Sequence, residues 1–304
     1  MKALVTGASG TVGGVVCERL LDRGDGVVGL SRDPERAAKG SPRVVWHAWD
    51  PTLERPPEEA FEGVDGVINL VGEPINQRWT DEAKRKILDS REKATHNLIG
   101  AILARAEAER PKVLVSQSAV GYYGARGDEV IDEEAEPGET FDARVCVAWE
   151  GAAHEVDGSG VRLAIIRTGL VLDPDSGLLE ELLLPFKLGV GGPLAGGDQY
   201  MPWITLEDNA RMIIWLFDTE GADGVYNGTA PEPVTNKRFS KALGSALGRP
   251  AILPVPKLAT KIRFGGEFGE VVTKGQRAIP RRAEDQGFTF THTEIEPALE
   301  AILD

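Results

Sequence analysis

A short apolar run at 3–5 passes at once into the turn TGASGTVG at 6–13 and then into an amphipathic stretch at 11–23. The glycines of this G-x-x-G-x-x-G turn, Gly7, Gly10 and Gly13, stand where a strand would hand over to a helix. Such a turn needs glycine for its tight bend, for close approach of the backbone to a pyrophosphate, and for packing of helix on strand. The helix start that follows offers unpaired N–H groups and a partial positive charge to an anion. With Ser9, Thr11 and Val12 in the same loop, the segment predicts a dinucleotide-binding unit at the start of the chain. A turn-and-cap loop without a ligand is the plainer alternative.

The alternation continues downstream. Short apolar runs at 27–30, 44–46, 66–70, 113–116 and 162–167 predict strands, and longer patterns at 81–108 and 143–156 predict helices. This rhythm predicts an α/β fold, a Rossmann-type doubly wound parallel sheet. After about residue 170, Gly/Pro-rich stretches at 189–197, 230–234 and 250–256 separate helical segments, which reads as a smaller C-terminal α+β lobe. The expected division is a Rossmann domain at 1–170, rejoined by the chain at 205–230, and a lobe at 171–304 whose tail begins near 250. A chain of 304 residues with 41% hydrophobic content suffices to bury such a core.

A net charge of −14 opposes a sequence-independent grip on nucleic acid or on an anionic membrane, so neither is an expected partner. Cys17 and Cys146 are far apart and the four histidines lack zinc-ligand spacing, so no disulfide framework and no metal are expected. Met1 and Lys2 lead into the first strand with no signal-like apolar region, and no apolar run approaches membrane-spanning length. The expected location is cytoplasmic.

At the end of the second predicted strand, where an NAD site usually has a carboxylate for the ribose hydroxyl, the chain reads Leu30, Ser31, Arg32. An arginine fork can clamp a 2′-phosphate that a carboxylate would repel, which makes NADP(H) the expected cofactor. An exposed loop arginine paired with Asp33 is the alternative.

Further motifs follow in order: NLVGEPI at 69–75, RWT at 78–80, SREKAT at 90–95, SQSAVGYYG at 116–124, WEGAA at 149–153, RTGLVL at 167–172, PFKLGVGGPLAGGDQYMPWI at 185–204, NGTAPEPVTN at 227–236 and GQRAIPRR at 275–282. With TGASGTVG they cover nearly the whole chain. In this order they resemble the atypical extended short-chain dehydrogenases catalogued as nucleoside-diphosphate-sugar epimerases, sometimes labelled cell-division inhibitors, which carry a small C-terminal domain of unknown role. The resemblance implies that Leu70, Val71 and Gly72 lie along the cofactor, that Arg91 adds positive charge beside the pyrophosphate, and that Ser116, Arg167, Thr168, Gly169 and Val171 lie near the nicotinamide. Strand-end packing would account for Leu70, Val71 and Val171 equally well.

Members of that superfamily use a tyrosine, a lysine four residues later and a serine or threonine for proton exchange with the substrate oxygen. The resemblance places Ser118 at the polarising position, Asp142 at the tyrosine position and Cys146 at the lysine position. No Y-x-x-x-K occurs anywhere, and no lysine stands between Lys112 and Lys187. On its reference value Asp142 would be ionised, a base but a poor acid. Tyr123 or Tyr122 would be the remaining phenols, unless they are pocket walls or packed aromatics. Cys146 reads as a small buried hydrophobe. Trp79, Trp203, Gln199 and Met201 are expected to line a pocket between the lobes, with inter-lobe packing as the alternative. The expected activity is oxidoreductase or epimerase-like chemistry on a small polar substrate, with a non-catalytic NADP(H)-binding sensor or scaffold as the rival. Related enzymes suggest a homodimer through the helices at 81–108 and 143–156, although the charges at Lys84, Arg85 and Lys86 also suit a solvated face.

Overall fold

The computed structural model describes residues 1–256 and 265–304. Its strands are β1 (Lys2–Thr6), β2 (Gly26–Ser31), β3 (Val45–Ala48), β4 (Gly66–Asn69), β5 (Val113–Ala119), β6 (Val130–Ile131), β7 (Arg162–Thr168), β8 (Leu170–Leu172), β9 (Tyr200–Met201), β10 (Trp203–Thr205), β11 (Gly224–Gly228), β12 (Val234–Thr235) and β13 (Arg277–Ala278). The main helices are α1 (Thr11–Asp22), α2 (Pro34–Gly40), α3 (Asp81–Leu103), α4 (Phe141–His154), α5 (Gly177–Lys187), α6 (Leu206–Asp218) and α7 (Asn236–Ala246).

The central sheet runs β3-β2-β1-β4-β5-β7-β11 with every pair parallel. Strands of such a sheet are covered on both faces, which is why β4 is buried at every residue and β1 at all but the first. One core cluster joins the sheet to α1 and α6 through Val16, Leu20, Ile213 and Phe217. A second joins it to α3 and α4 through Leu98, Ile102 and Ala153. The C-terminal lobe has its own cluster, with Leu179, Phe186, Trp203, Phe239 and Leu299. Fully burying side chains of this size contributes about 1.5–3 kcal/mol each. The strand order reverses between β1 and β4, and that switch point opens a crevice at the carboxyl ends of the strands.

Two helices differ from the sequence expectation. The helix read at 81–108 stops at Leu103, because the Arg110 guanidinium reaches back to the carbonyls of Arg105 and Leu103 and Pro111 follows. Helix α2 was not foreseen: it buries no residue and so carries no apolar period. Its start is set by Pro34 at the first position and by the Asp33 carboxylate, which accepts from the Arg36 N–H at 3.0 Å.

The C-terminal segment returns to the sheet. β13 pairs with β6, the Asn227 amide donates to the Ile279 carbonyl at 2.9 Å, and Phe288 and Phe290 join the α1/α6 core. The buried Asp208 carboxylate accepts from the backbone N–H groups of Thr291 and His292, each at 2.9 Å. Among the described residues no helix is long and apolar enough to cross a membrane, and no group of His, Cys, Asp and Glu is placed to hold a metal ion.

Candidate cofactor and substrate site

The glycine turn lies at the switch point. Gly7 has a φ of +65°, and a Cβ there would stand 2.7 Å from the Leu70 carbonyl oxygen. A Cβ on Gly13 would stand 2.2 Å from the Gly7 carbonyl oxygen, so α1 sits against the turn more closely than any side chain allows. Helix α1 begins at Gly10 with no side-chain cap and no acidic residue in its first turn, whereas α3 is capped by Thr80 and carries Asp81 and Glu82 there. Its first N–H groups face outward beside exposed Ser9, Gly10 and Thr11, while Val12 packs on the α1/α6 core.

A buried hydroxyl network shapes the opposite wall. Thr6 Oγ1 donates to Asn69 Oδ1 at 2.8 Å and accepts from the N–H groups of Leu70 at 3.0 Å and Val71 at 3.2 Å. Asn69 donates to Thr95 Oγ1 and Ser116 Oγ. The Ser116 side chain thus helps to hold β4, β5 and α3 together. Thr6 and Asn69 had been quoted within motifs without a role, since a side chain's partner 63 residues away leaves no local signal.

Two cations flank this crevice. Arg32 at the end of β2 is exposed, and Asp33 is occupied in capping α2 instead of pairing with it. Ser31 Oγ accepts from the Asp33 N–H at 3.1 Å and so fixes the turn. Arg91 lies over the Trp149 ring at 5.0 Å and donates to the Ile87 carbonyl at 3.1 Å. A Cβ on Gly72 would come within 3.0 Å of its guanidinium carbon. Burial lowers the Arg91 pKa, and neither arginine has a carboxylate partner among the described residues. An uncapped helix start, a glycine cradle and two unneutralised guanidinium groups fit a dinucleotide with a central pyrophosphate and a further phosphate on one ribose.

The residues expected to carry chemistry separate. Ser118 is fully buried, and its hydroxyl donates to Glu150 Oε1 at 2.6 Å. Glu150 forms a two-pronged ion pair with Arg167 at 2.9 and 2.8 Å, both side chains being buried. Arg167 donates on to Tyr123 Oη at 3.0 Å, and Tyr123 donates to Asn227 Oδ1 at 2.7 Å. The Arg167 guanidinium also stacks on Tyr122, 3.4 Å from the ring centroid. Burial pushes the Tyr123 phenol up to about 12, against the opposing charge of Arg167. Ser118, Tyr123 and the Arg167 side chain are thus joined through Glu150 in one buried knot. Gly169 has a packing reason, since a Cβ would stand 2.1 Å from the Pro202 carbonyl oxygen. Thr168 is buried with no hydrogen-bond partner for its hydroxyl, and Leu70, Val71 and Val171 are half-buried against the cores.

Asp142 does face a cavity. Of about 90 Å³, it is lined by Gly124, Thr140, Phe141 and Asp142 on the Rossmann side and by Glu267, Val271, Lys274 and Gln276 from the C-terminal segment. Asp142 is 5% exposed, and its Oδ1 has no hydrogen-bond partner among the described residues. Burial raises its pKa, the nearby Thr140 hydroxyl and first-turn N–H groups oppose this, and the Glu267 charge reinforces it. Desolvation thus moves Asp142 away from the reference value used in the sequence reading, toward the form that carries a proton. Trp79 packs against Phe141 and Phe268 at centroid distances of 4.9 and 5.0 Å, next to this cavity. Trp203 and Met201 instead lie in the core of the lobe, and Gln199 is turned onto the Leu194 carbonyl. Cys146, which the resemblance sets at the lysine position, is a buried thiol pushed by desolvation up to about 12. Thr140, Lys274 and Gln276 escaped the sequence reading, because only the fold brings the tail to the start of α4.

Comparison with known proteins agrees with this architecture. Residues 3–227 match the model of the NAD dependent epimerase/dehydratase family, and residues 255–302 match a domain of unknown function. An Arabidopsis thaliana chloroplastic homolog of epimerase family protein SDR39U1 is 37% identical over 303 residues, covering 100% of this chain and 87% of its own. An epimerase family protein of Mycobacterium bovis is 37% identical, covering 97% of this chain and 95% of its own. The crystal structure of human epimerase family protein SDR39U1, solved with NADPH, superposes with a TM-score of 0.90 at 31% identity, covering 100% of this chain and 99% of that one. The protein belongs to the NAD dependent epimerase/dehydratase family, as a seven-stranded Rossmann-type member that carries the C-terminal domain of unknown function and lacks a Tyr-x-x-x-Lys pair.

Proposed function

We propose that the chain binds NADP(H) across the switch point and is an oxidoreductase or epimerase-like enzyme for a small polar substrate held between the sheet's carboxyl edge and the C-terminal segment. The observation that carries the cofactor choice is Arg32, a cation without a carboxylate partner at the end of β2. The human relative solved with NADPH supports it. Gly7, Ser9, Gly10, Thr11 and Gly13 would hold the pyrophosphate with Arg91, Ser31 and Arg32 the 2′-phosphate, and Leu70, Val71 and Gly72 the intervening length. When bound, the nicotinamide supplies or accepts hydride. The chain's own part is to orient the substrate, exclude water and move one proton. A cytoplasmic location belongs to the same proposal and is supported by two buried unpaired thiols, Cys17 and Cys146. So does a homodimer through α3 and α4, which light scattering of the purified protein tests.

Calorimetric titration with NADPH and NADH at one salt concentration is the test. NADPH is expected to bind at least tenfold more tightly. Arg32→Ala should weaken NADPH about ten- to a hundredfold, the loss of a charge-assisted contact of about 1.5–3 kcal/mol, and leave NADH nearly unchanged. Equal losses for both cofactors would remove Arg32 from the 2′-phosphate site. A second reading, a cofactor-binding sensor without turnover, is favoured by the burial of Ser118 and Tyr123. Oxidation of bound NADPH by one member of a carbonyl panel would exclude it.

A further inference from the structure

The cavity between the start of α4 and the C-terminal segment holds the ingredients of a binding site that neither half of the chain has alone. Asp142 and Thr140 line it, and their Oδ1 and Oγ1 are both buried and without hydrogen-bond partners among the described residues. A buried polar atom left unsatisfied costs about 1–3 kcal/mol, so two of them facing one cavity call for a ligand or water to complete them. The charges around the cavity are unequal. Glu267 is neutralised by an ion pair with Lys84, whose ammonium also lies 5.2 Å from the Phe141 ring centroid. Lys274 lines the cavity with no carboxylate partner among the described residues. Gln276 adds a nearly buried amide, and Phe141 and Val271 supply apolar wall.

We propose that this cavity binds a small hydroxy or oxo monocarboxylate, with Lys274 taking the carboxylate and the Asp142 carboxyl donating a hydrogen bond to the hydroxyl or carbonyl oxygen. Size sets the class. At about 90 Å³ the cavity is smaller than the engineered cavity of about 150 Å³ that holds one benzene, and it is partly open to solvent. That admits the functional end of a short-chain acid. A nucleoside diphosphate sugar would overfill it and would bring two phosphate charges to a single lysine. The carboxyl must hold its proton to donate, and burial favours that form. The other titratable groups nearby are Glu267 from the C-terminal segment, neutralised by Lys84 of α3, then Lys274, and Cys146 one turn along α4, whose thiol stays protonated. Asp142 lies among them at the cavity wall, where loss of its proton would set a negative charge against the ligand. This deepens the proposed function by naming its substrate class, and it rests on the inter-lobe cleft being the substrate side of the cofactor site.

The test is calorimetric titration of the full chain, with and without saturating NADPH, using glycolate, lactate and hydroxybutyrate. Propylene glycol serves as the neutral counterpart of lactate, and UDP-glucose as the large anionic alternative. At least one acid is expected to bind ten times more tightly than propylene glycol and UDP-glucose. Lys274→Gln, an exposed change, is expected to weaken that acid at least tenfold. Affinity should fall as pH rises and Asp142 ionises and repels the acid, and Asp142→Asn should flatten the profile. Binding of none of the acids, tighter binding of UDP-glucose, or indifference to Lys274→Gln overturns the proposal, and a pH profile unchanged in Asp142→Asn removes Asp142 from it. NADPH titrations of the same variants keep the two readings apart: intact NADPH affinity with no acid binding defeats only the substrate class.

Discussion

Replacing Glu150 by alanine is expected to lower the unfolding free energy by about 3–5 kcal/mol, the usual consequence of stranding one member of a buried ion pair. Glu150 and Arg167 have side chains only 8% and 4% exposed, and Glu150 accepts both prongs of the guanidinium as well as the Ser118 hydroxyl. Without the carboxylate, Arg167 keeps Tyr123, the Glu133 carbonyl and the Tyr122 face, none of which neutralises it. The melting temperature should fall by roughly 6–20 °C, at about 2–4 °C per kcal/mol for chains approaching this size. Ser118→Ala removes one neutral donor and should cost only about 1 kcal/mol. The double variant Glu150→Leu with Arg167→Met should recover at least half of the loss, because apolar residues of similar volume replace buried pairs at little cost. Urea unfolding followed by circular dichroism measures all three. A Glu150→Ala protein within about 1 kcal/mol of the parent would mean that the pair is hydrated and does not hold β5, α4 and β7 together.

That same knot shows where the sequence was readable and where it was not. The sheet was legible because β1, β4, β5 and β7 are continuous apolar runs separated by helical periods, a pattern that few folds other than a doubly wound sheet can bury. The glycine turn was legible for an equally local reason: Gly7 and Gly13 answer to steric contacts within a few residues and to one adjacent strand. Motif order also pointed at Ser118 and Tyr123, but whether a side chain at a strand's end looks into a crevice or into the core is decided by Glu150, Arg167 and Asn227, all more than 30 residues away. The upward push on the Asp142 carboxyl could not be read from the sequence, because a reference pKa contains no burial. Lys274 and Gln276 lay in or beside a quoted motif, yet their meaning depends on the tail crossing back to α4, and no periodicity in the tail encodes that path.

Gly13 and Gly14 provide the second large contrast, in adjacent residues. Gly13→Ala is expected to weaken NADPH at least a hundredfold, about 2.8 kcal/mol. Its Cβ would stand 2.2 Å from the Gly7 carbonyl oxygen, 2.8 Å from the Gly7 carbonyl carbon and 2.9 Å from the Ala8 Cα, all backbone atoms that cannot swing aside. Helix α1 must then retreat from β1 or the turn must open, and either change moves the first N–H groups of the helix off the position where an anion would sit. Gly14 belongs to the same helix but has nothing within 4 Å of its Cβ position. Gly14→Ala should therefore stabilise the protein by up to about 1 kcal/mol through helix propensity, with NADPH affinity changed less than threefold. Melting curves and NADPH calorimetry on the two variants test the claim together. If Gly13→Ala binds NADPH as the parent does, the glycine serves only packing between α1 and β1, and the phosphate site must be sought elsewhere along the switch point. A loss confined to Gly13→Ala ties affinity to the tenths of an ångström by which α1 is allowed to approach the turn.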